Sequence, residues 1–269
     1  MRSARHYDAA AEIHVACFGS LSPLLAATAD DVGARVHRYD AEDPKWMFWL
    51  KWIAVRRLHE CLPEHTILMD NDTFVLGALS DFVDCHARHD ICGRLDPGCE
   101  RGAEERWVGN TRIRPVMWWP TMDAICSAVG ARPLDIINVG FVLFANGSMR
   151  KFAGEIDSMY ELEELWRLGE LPYPCANRRI VDQIAATIAV GMLDASFHPI
   201  SELDVPYFFE VAAETGGGRR PVVVHTWDAW YRDALTRYLG PQALASFDQH
   251  CAQGVGTSVE ETEKDERKP

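Results

Sequence analysis

Apolar positions along the chain fall into short runs that are separated by longer stretches with helical spacing. The runs that predict strands are 12–18, 34–40, Thr66–Met69, 135–144 and 221–227. The stretches that predict helices are 21–33, 45–62, 77–89, 120–130, 148–168, 178–191 and 228–239. Because strands alternate with helices, the pattern predicts an α/β fold with a mainly parallel central sheet flanked by helices.

Length and composition favour one domain followed by a short tail. The chain has 269 residues and is 48% hydrophobic, which is enough for a large core. We therefore expect a single domain over residues 1–253. The segment 254–269 is polar and charged and has no aromatic residue, a composition typical of a disordered tail.

The charge and the cysteines exclude several classes of protein. A formal net charge of −13 repels a phosphate backbone, so nucleic acid is not an expected partner. No apolar stretch approaches the roughly 18 residues of a membrane span, so no transmembrane segment is expected. The eight cysteines form no C-x-x-C pair and the chain shows no export signal, which predicts reduced thiols and a cytoplasmic location.

An acidic pair, Asp70 and Asp72, directly follows the apolar run Thr66–Met69. One interpretation is structural, with the two aspartates capping and stabilising a turn. A second is a hard-metal site, because carboxylates suit Mg²⁺ and Mn²⁺. A third is the aspartate nucleophile of a phosphohydrolase similar to haloacid dehalogenases, although Thr73 and Phe74 stand where that pattern has glycine and threonine.

Four segments carry further motifs, in the order "KWIAVRRLHECLPEHTILMDNDTFVLGALSDF", "INVGFVLF", "RRIVDQIAA" and "VVVHTW". The first resembles the approach to the DXD motif of GT-A glycosyltransferases, which have a Rossmann-like nucleotide-diphospho-sugar transferase fold. The other three resemble, in turn, their Asn-x-Gly strand, their Asp-Gln motif and the late strand that carries a metal-binding histidine. The likeness is strongest to retaining enzymes of the glycogenin and lipopolysaccharide galactosyltransferase type.

This resemblance implies a metal-dependent transfer of a sugar. Mn²⁺ or Mg²⁺ would be bound by Asp70, Asp72 and His225, and would carry the diphosphate of a UDP- or GDP-sugar. The acceptor would be a hydroxyl on a small molecule, a glycan or a lipid-linked molecule. A phosphohydrolase and a nucleotide-sugar-binding module without catalysis stay open as alternatives.

The resemblance also assigns roles to individual residues of the donor site. The residues implied to bind the donor are Ala16, Cys17, Phe18, Lys51, Asp70, Asn71, Asn138, Val139 and Gly140. Asp182 and Gln183 are the implied catalytic pair and would face the anomeric carbon in a retaining enzyme. In an inverting enzyme Asp182 would deprotonate the acceptor instead, and retention is the favoured outcome.

Three further features bear on these roles. "HTWDAWYRD" lacks the glycine and lysine that relatives place after the metal histidine, and Arg219 with Arg220 is a candidate substitute. Trp118 or Trp119 is a candidate for stacking on an acceptor ring. Cys85, His89 and Cys92 share a predicted helical face, but three ligands without a second pair do not favour zinc.

Overall fold

A computed structural model describes residues 1–40, 49–108, 111–115, 119–163, 165, 167, 181–201, 204–206 and 221–225. The helices are α1 (Arg2–Tyr7), α2 (Pro23–Asp31), α3 (Leu50–Leu58), α4 (Leu79–His86), α5 (Trp119–Val129), α6 (Ser148–Met159) and α7 (Val181–Met192). The strands are β1 (His14–Phe18), β2 (Arg35–Tyr39), β3 (Thr66–Met69), β4 (Thr73–Val75), β5 (Ile91–Leu95), β6 (Arg106–Val108), β7 (Thr111–Ile113), β8 (Ile137–Phe144), β9 (Phe197–Pro199) and β10 (Val223–His225).

The central sheet has the strand order β3-β8-β5-β9. Strand β8 is antiparallel to both β3 and β5, whereas β5 and β9 are parallel. The predicted α/β class is confirmed, but the sheet is mixed rather than mainly parallel. The physical reason is that β3 and β5 run in the same direction with α4 between them, and β8 then inserts between the two in the opposite direction.

The first two strands form the parallel pair that the alternating pattern predicts. Strands β1 and β2 pair from His14↔Arg35 to Phe18↔Tyr39, with α2 as the crossover between them. The side chain of Ser22 caps α2 by accepting a hydrogen bond from the backbone N–H of Leu25 (3.2 Å).

The core lies on both faces of β8, whose eight residues are all buried. Helix α7 is buried from Val181 to Gly191 and packs on this strand together with α6. Such a fully buried and nearly all apolar strand has no solvent-facing side, so its sequence does not reveal its direction.

Strand β8 is irregular opposite β5. Gly93 pairs with Val142, but the next residue, Arg94, pairs with Asn138, so residues 139–141 have no partner on β5. Irregularities of this kind bend a strand and redirect its side chains, and they often occur beside functional sites.

Several predicted boundaries change. The segment 94–110, whose polar and Gly-containing sequence is typical of a loop, instead contains the end of β5 and strand β6, which pairs with β7 in an antiparallel hairpin. The helix predicted over 228–239 and the tail 254–269 lie outside the described residues. Within the described ranges, no helix is at once long enough and apolar enough to cross a lipid bilayer.

Candidate metal and donor site

The acidic pair lies on a tight turn between β3 and β4. The backbone carbonyl of Asp70 accepts hydrogen bonds from the Thr73 hydroxyl (2.7 Å) and the Thr73 N–H (3.3 Å). The turn leaves the side chains of Asp70 and Asp72 only partly exposed, at 27% and 35%. Two carboxylates are therefore held close together in a partly desolvated place.

Strand β10 brings His225 to this turn. It pairs antiparallel with β4, so His225 is opposite Thr73, the residue after Asp72. The buried His225 Nε2 lies 3.3 Å from Asp72 Oδ1. One ligand atom from each of Asp70, Asp72 and His225 lies within 4.8 Å of the others, the single such group in the described part of the chain.

The position of His225 depends on Gly140. A Cβ atom on Gly140 would lie 2.7 Å from Nδ1 and 2.8 Å from Nε2 of the His225 ring, which is closer than atoms can pack. The carbonyl of Gly140 also accepts the N–H of Asp70 (2.9 Å). Glycine is required here because the imidazole occupies the space of a side chain.

Lys51 of α3 connects the acidic turn to the buried side of the site. Its ammonium lies 2.5 Å from Asp70 Oδ1 and 3.7 Å from Asp182 Oδ2, and it donates to the Val139 carbonyl (3.4 Å). One cation thus balances two carboxylates from different elements.

Asp182 and Gln183 lie in the first turn of α7 and are 5% and 6% exposed. The Thr187 hydroxyl fixes this helix on β8, because it donates to the Gln183 carbonyl (2.8 Å) and accepts from the Ile137 N–H (2.9 Å). Burial raises the pKa of Asp182 to about 6; the charge of Lys51 opposes this shift and that of Asp70 adds to it.

Asn138 joins the two sides through the backbone of β8. Its Oδ1 accepts the N–H of Gly140 (2.9 Å), and its Nδ2 donates to Asp96 Oδ2 (3.4 Å). Asp96, at the end of β5, was missed by the sequence analysis. The available signal was "ICGRLD", a short apolar run that ends in an aspartate as the run before Asp70 does.

The remaining predicted donor residues lie on three different parts of the fold: β1, the acidic turn and β8. Ala16, Cys17 and Phe18 form the end of β1, where the Phe18 ring lies 5.2 Å from that of Tyr39. Asn71 is exposed on the acidic turn, and Val139 is buried in β8.

The chain matches no protein-family model and no curated protein. Among solved structures it is similar to the apo form of mouse xyloside xylosyltransferase 1, at 10% identity and a TM-score of 0.42, with 80% of this chain and 85% of that chain covered. It is also similar to a glycosyltransferase involved in the glycosylation of the major capsid of PBCV-1, at 11% identity and a TM-score of 0.41, with 90% and 100% covered. A third is HddC from Yersinia pseudotuberculosis, at 12% identity and a TM-score of 0.32, with 70% and 68% covered. Similarities this low do not define a family, so the chemistry is inferred from the site itself.

Other candidate residues lie apart from this group or outside the described ranges. The Trp119 ring packs against the Arg101 guanidinium, 4.2 Å from the ring centroid. Cys85 is exposed whereas Cys92 is buried, and neither belongs to a group with metal-binding geometry in the described ranges. Trp118, Arg219 and Arg220 are not among the described residues.

The donor set of the acidic turn fits a divalent cation. Carboxylate oxygens suit Mn²⁺ and Mg²⁺, and the imidazole nitrogen favours the transition metal of the two. Ligand atoms on one such ion are roughly 3–4.5 Å apart, so the 4.8 Å span of this group needs only a small closure.

Proposed function

We propose that the protein is a metal-dependent glycosyltransferase that uses a nucleotide-diphosphate-sugar. The observation that carries the proposal is the convergence of Asp70, Asp72 and His225 beside the buried pair Asp182 and Gln183, with Lys51 between them. A group of possible metal ligands beside buried polar side chains suits a ligand with a charged half and a hydroxylated half.

In this proposal Asp70, Asp72 and His225 hold Mn²⁺. When bound, the metal supplies Lewis-acid charge that stabilises the departing nucleoside diphosphate. Lys51 supplies a second positive charge at the same edge, so the diphosphate would lie between two cationic groups in a net acidic protein.

The buried side is assigned to the donor sugar. The Asp182 carboxylate and the Asn138 and Gln183 amides offer acceptors and donors for sugar hydroxyls where water is excluded. Ala16, Cys17 and Phe18 are assigned to the nucleobase and ribose. Asn71 and Val139 are also assigned to binding of the donor. The acceptor would be a hydroxyl of a small molecule, glycan or lipid-linked molecule.

Retention of configuration is part of the proposal, because Asp182 and Gln183 resemble the pair that faces the anomeric carbon in retaining enzymes. It is tested by following the anomeric proton of the first-formed product by NMR. A product with inverted configuration would contradict retention and would assign Asp182 to acceptor deprotonation.

The function is tested by thermal-shift measurements with UDP- and GDP-sugars in Mn²⁺, repeated in EDTA and with Asp72→Asn. A ligand that binds only the folded state raises the free energy of unfolding by mass action, by about 2.7 kcal/mol at a hundredfold excess over Kd. The midpoint temperature of unfolding rises as a result. We expect one donor to stabilise the wild type, and both EDTA and the variant to abolish that shift. Asp84→Asn, an exposed aspartate on α4, is the matched control and should keep the shift.

Two other results would reject the glycosyltransferase. Stabilisation by vanadate but by no nucleotide-sugar, with a phospho-aspartate trapped at Asp70, would indicate a phosphohydrolase. Donor binding without transfer to water or to a broad acceptor panel would indicate a binding module.

A further inference from the structure

Asp96 is a buried carboxylate that does not belong to the group formed by Asp70, Asp72 and His225. It follows β5 in the sequence "LDPG" and is 9% exposed. Its backbone is fixed on both sides: its N–H donates to the Ile136 carbonyl (2.8 Å), and its carbonyl accepts the Cys99 N–H (3.0 Å). A carboxylate buried at this depth is costly unless several donors stabilise it, so its partners indicate what it does.

The donors around Asp96 come from β8, α7 and the loop after β5. The side chains of Asn138, Gln183 and Cys99 each donate to its carboxylate. Burial raises the pKa of Asp96, whereas these three hydrogen bonds and the nearby His225 oppose that shift. Two of the three donors are the side chains assigned to the donor sugar.

Donation to Asp96 fixes which way each amide faces. With its nitrogen on Asp96, Asn138 turns its Oδ1 to the Gly140 N–H, and Gly140 in turn accepts from Asp70. Gln183 is held by its nitrogen in the same way, and its Oε1 is buried with no hydrogen-bond partner among the described residues. A buried acceptor without a donor is costly and indicates a ligand that supplies one.

We propose that Asp96 is a positioning residue that orients both amides, so that Gln183 Oε1 accepts a hydrogen bond from a hydroxyl of the bound donor sugar. Through Asn138 and Gly140 the same carboxylate also supports the backbone of Asp70. The inference rests on the proposed function for the identity of the ligand. The orientation of the amides can be measured without it.

Asp96→Asn is the informative change because it preserves shape but not acceptor capacity. A carboxylate offers two oxygens to the amides, whereas an asparagine has one carbonyl oxygen and places an NH₂ group where the other oxygen was. An amide that faces this NH₂ group must then turn over or move to the remaining carbonyl oxygen. The double variant Asp96→Asn/Asn138→Asp restores a complete set, because the asparagine introduced at position 96 can donate to the carboxylate introduced at position 138 and accept from Gln183.

The first measurement is the side-chain amide NMR spectrum of protein labelled with ¹⁵N at asparagine and glutamine. The two signals are assigned with Asn138→Asp and Gln183→Glu. We expect Asp96→Asn to shift at least one of them and to speed its exchange with solvent. Asp135→Asn is the control and should move neither signal, because the Asp135 carboxylate accepts the backbone N–H of Arg101 (2.8 Å) rather than a side-chain amide of the site. Unchanged Asn138 and Gln183 signals in Asp96→Asn would overturn the proposal.

The second measurement separates turnover from donor binding. We expect kcat to fall roughly 100-fold in Asp96→Asn while donor KM and Mn²⁺ affinity change less than about threefold, because misplacing a group at the reacting sugar mainly affects the transition state. The double variant should recover at least about tenfold of kcat. A rise in KM equal to the fall in kcat, or no recovery, would overturn the positioning role. Amide signals that shift as expected in a protein that neither binds nor turns over any nucleotide-sugar would leave the positioning of Gln183 supported and reject the proposed function.

Discussion

The two sides of the site differ in how they hold their charges. On the acidic turn, Asp70 and Asp72 are 27% and 35% exposed and follow a short strand. On the buried side, Asp96 and Asp182 are 9% and 5% exposed and are surrounded by β8 and α7. The partly hydrated pair tolerates ionisation at little cost, whereas each buried carboxylate depends on specific partners.

Because of this difference, the acidic turn can be changed independently of the fold and the buried side cannot. Loss of an acidic-turn carboxylate should remove metal binding and leave stability nearly unchanged. Changes on the buried side should alter stability and activity together. Gly140 and Lys51 contact both sides, so variants at these positions test how strongly the two sides are coupled.

The largest effect is expected for Gly140→Ala. The new methyl group would overlap the His225 ring, so the ring must move away from Asp72. We expect Mn²⁺ affinity to fall roughly 10–100-fold and the free energy of unfolding to fall by about 1–3 kcal/mol. The measurements are Mn²⁺ titration by EPR and urea unfolding.

Gly154→Ala is the matched control for this variant. Gly154 is exposed in the middle of α6, and a Cβ atom added there would have no neighbour within 4 Å outside its own helix. Alanine should therefore keep Mn²⁺ affinity and stabilise the protein by up to about 1 kcal/mol. Equal Mn²⁺ affinity in both alanine variants would show that Gly140 does not position His225.

Asp182→Asn should give the next largest effect, on the pH dependence of stability. The pKa of Asp182 is raised to about 6 in the folded protein. Its contribution to stability is therefore complete at pH values below the pKa of Asp182 in the unfolded chain, and it is lost as the pH rises through 6. Between pH 5 and pH 8 this loss amounts to about 1.4 kcal/mol, which the variant should not show. Urea unfolding in EDTA at both pH values measures it, and equal losses in wild type and variant would contradict the raised pKa.

Lys51→Met should give the smallest effects, but of opposite sign for two ligands. Removing the ammonium removes repulsion against a divalent cation at Asp70 and attraction for a diphosphate. We expect Mn²⁺ alone to bind roughly three- to tenfold more tightly, and a nucleoside diphosphate with Mn²⁺ to bind more weakly by a similar factor. Lys151→Met, on the exposed face of α6, should change neither affinity in calorimetric titrations. Weaker binding of both ligands would contradict this role of Lys51.

The sequence alone predicts the residues of the acidic turn but few of the contacts between them and the rest of the site. An apolar run followed by two aspartates is a local pattern, so Asp70 and Asp72 could be found directly. That His225 reaches them depends on the pairing of β10 with β4, which no local pattern specifies. The resemblance to known motifs supplied that expectation, and the physical chemistry of the segment alone did not.

The errors have the same origin. The direction of β8 could not be read because all its positions are buried and nearly all are apolar, so a mixed sheet was predicted as mainly parallel. Asp96 was overlooked because it lies within the polar, Gly-containing segment 94–110, whose composition indicates a loop, although the preceding β5 is a buried strand. Its function becomes visible only when Asn138 and Gln183 are brought to it from distant parts of the chain.

The late position of His225 has a consequence for synthesis of the protein. More than 150 residues separate it from Asp72, so a ribosome must add that whole stretch before the third side chain of the group exists. A nascent chain that carries only Asp70 and Asp72 is a weak chelator, because two carboxylates on a turn leave the cation mostly hydrated. In the proposed function, metal capture would therefore coincide with the docking of β10 against β4, and a cell would load this site only on chains that already extend beyond His225.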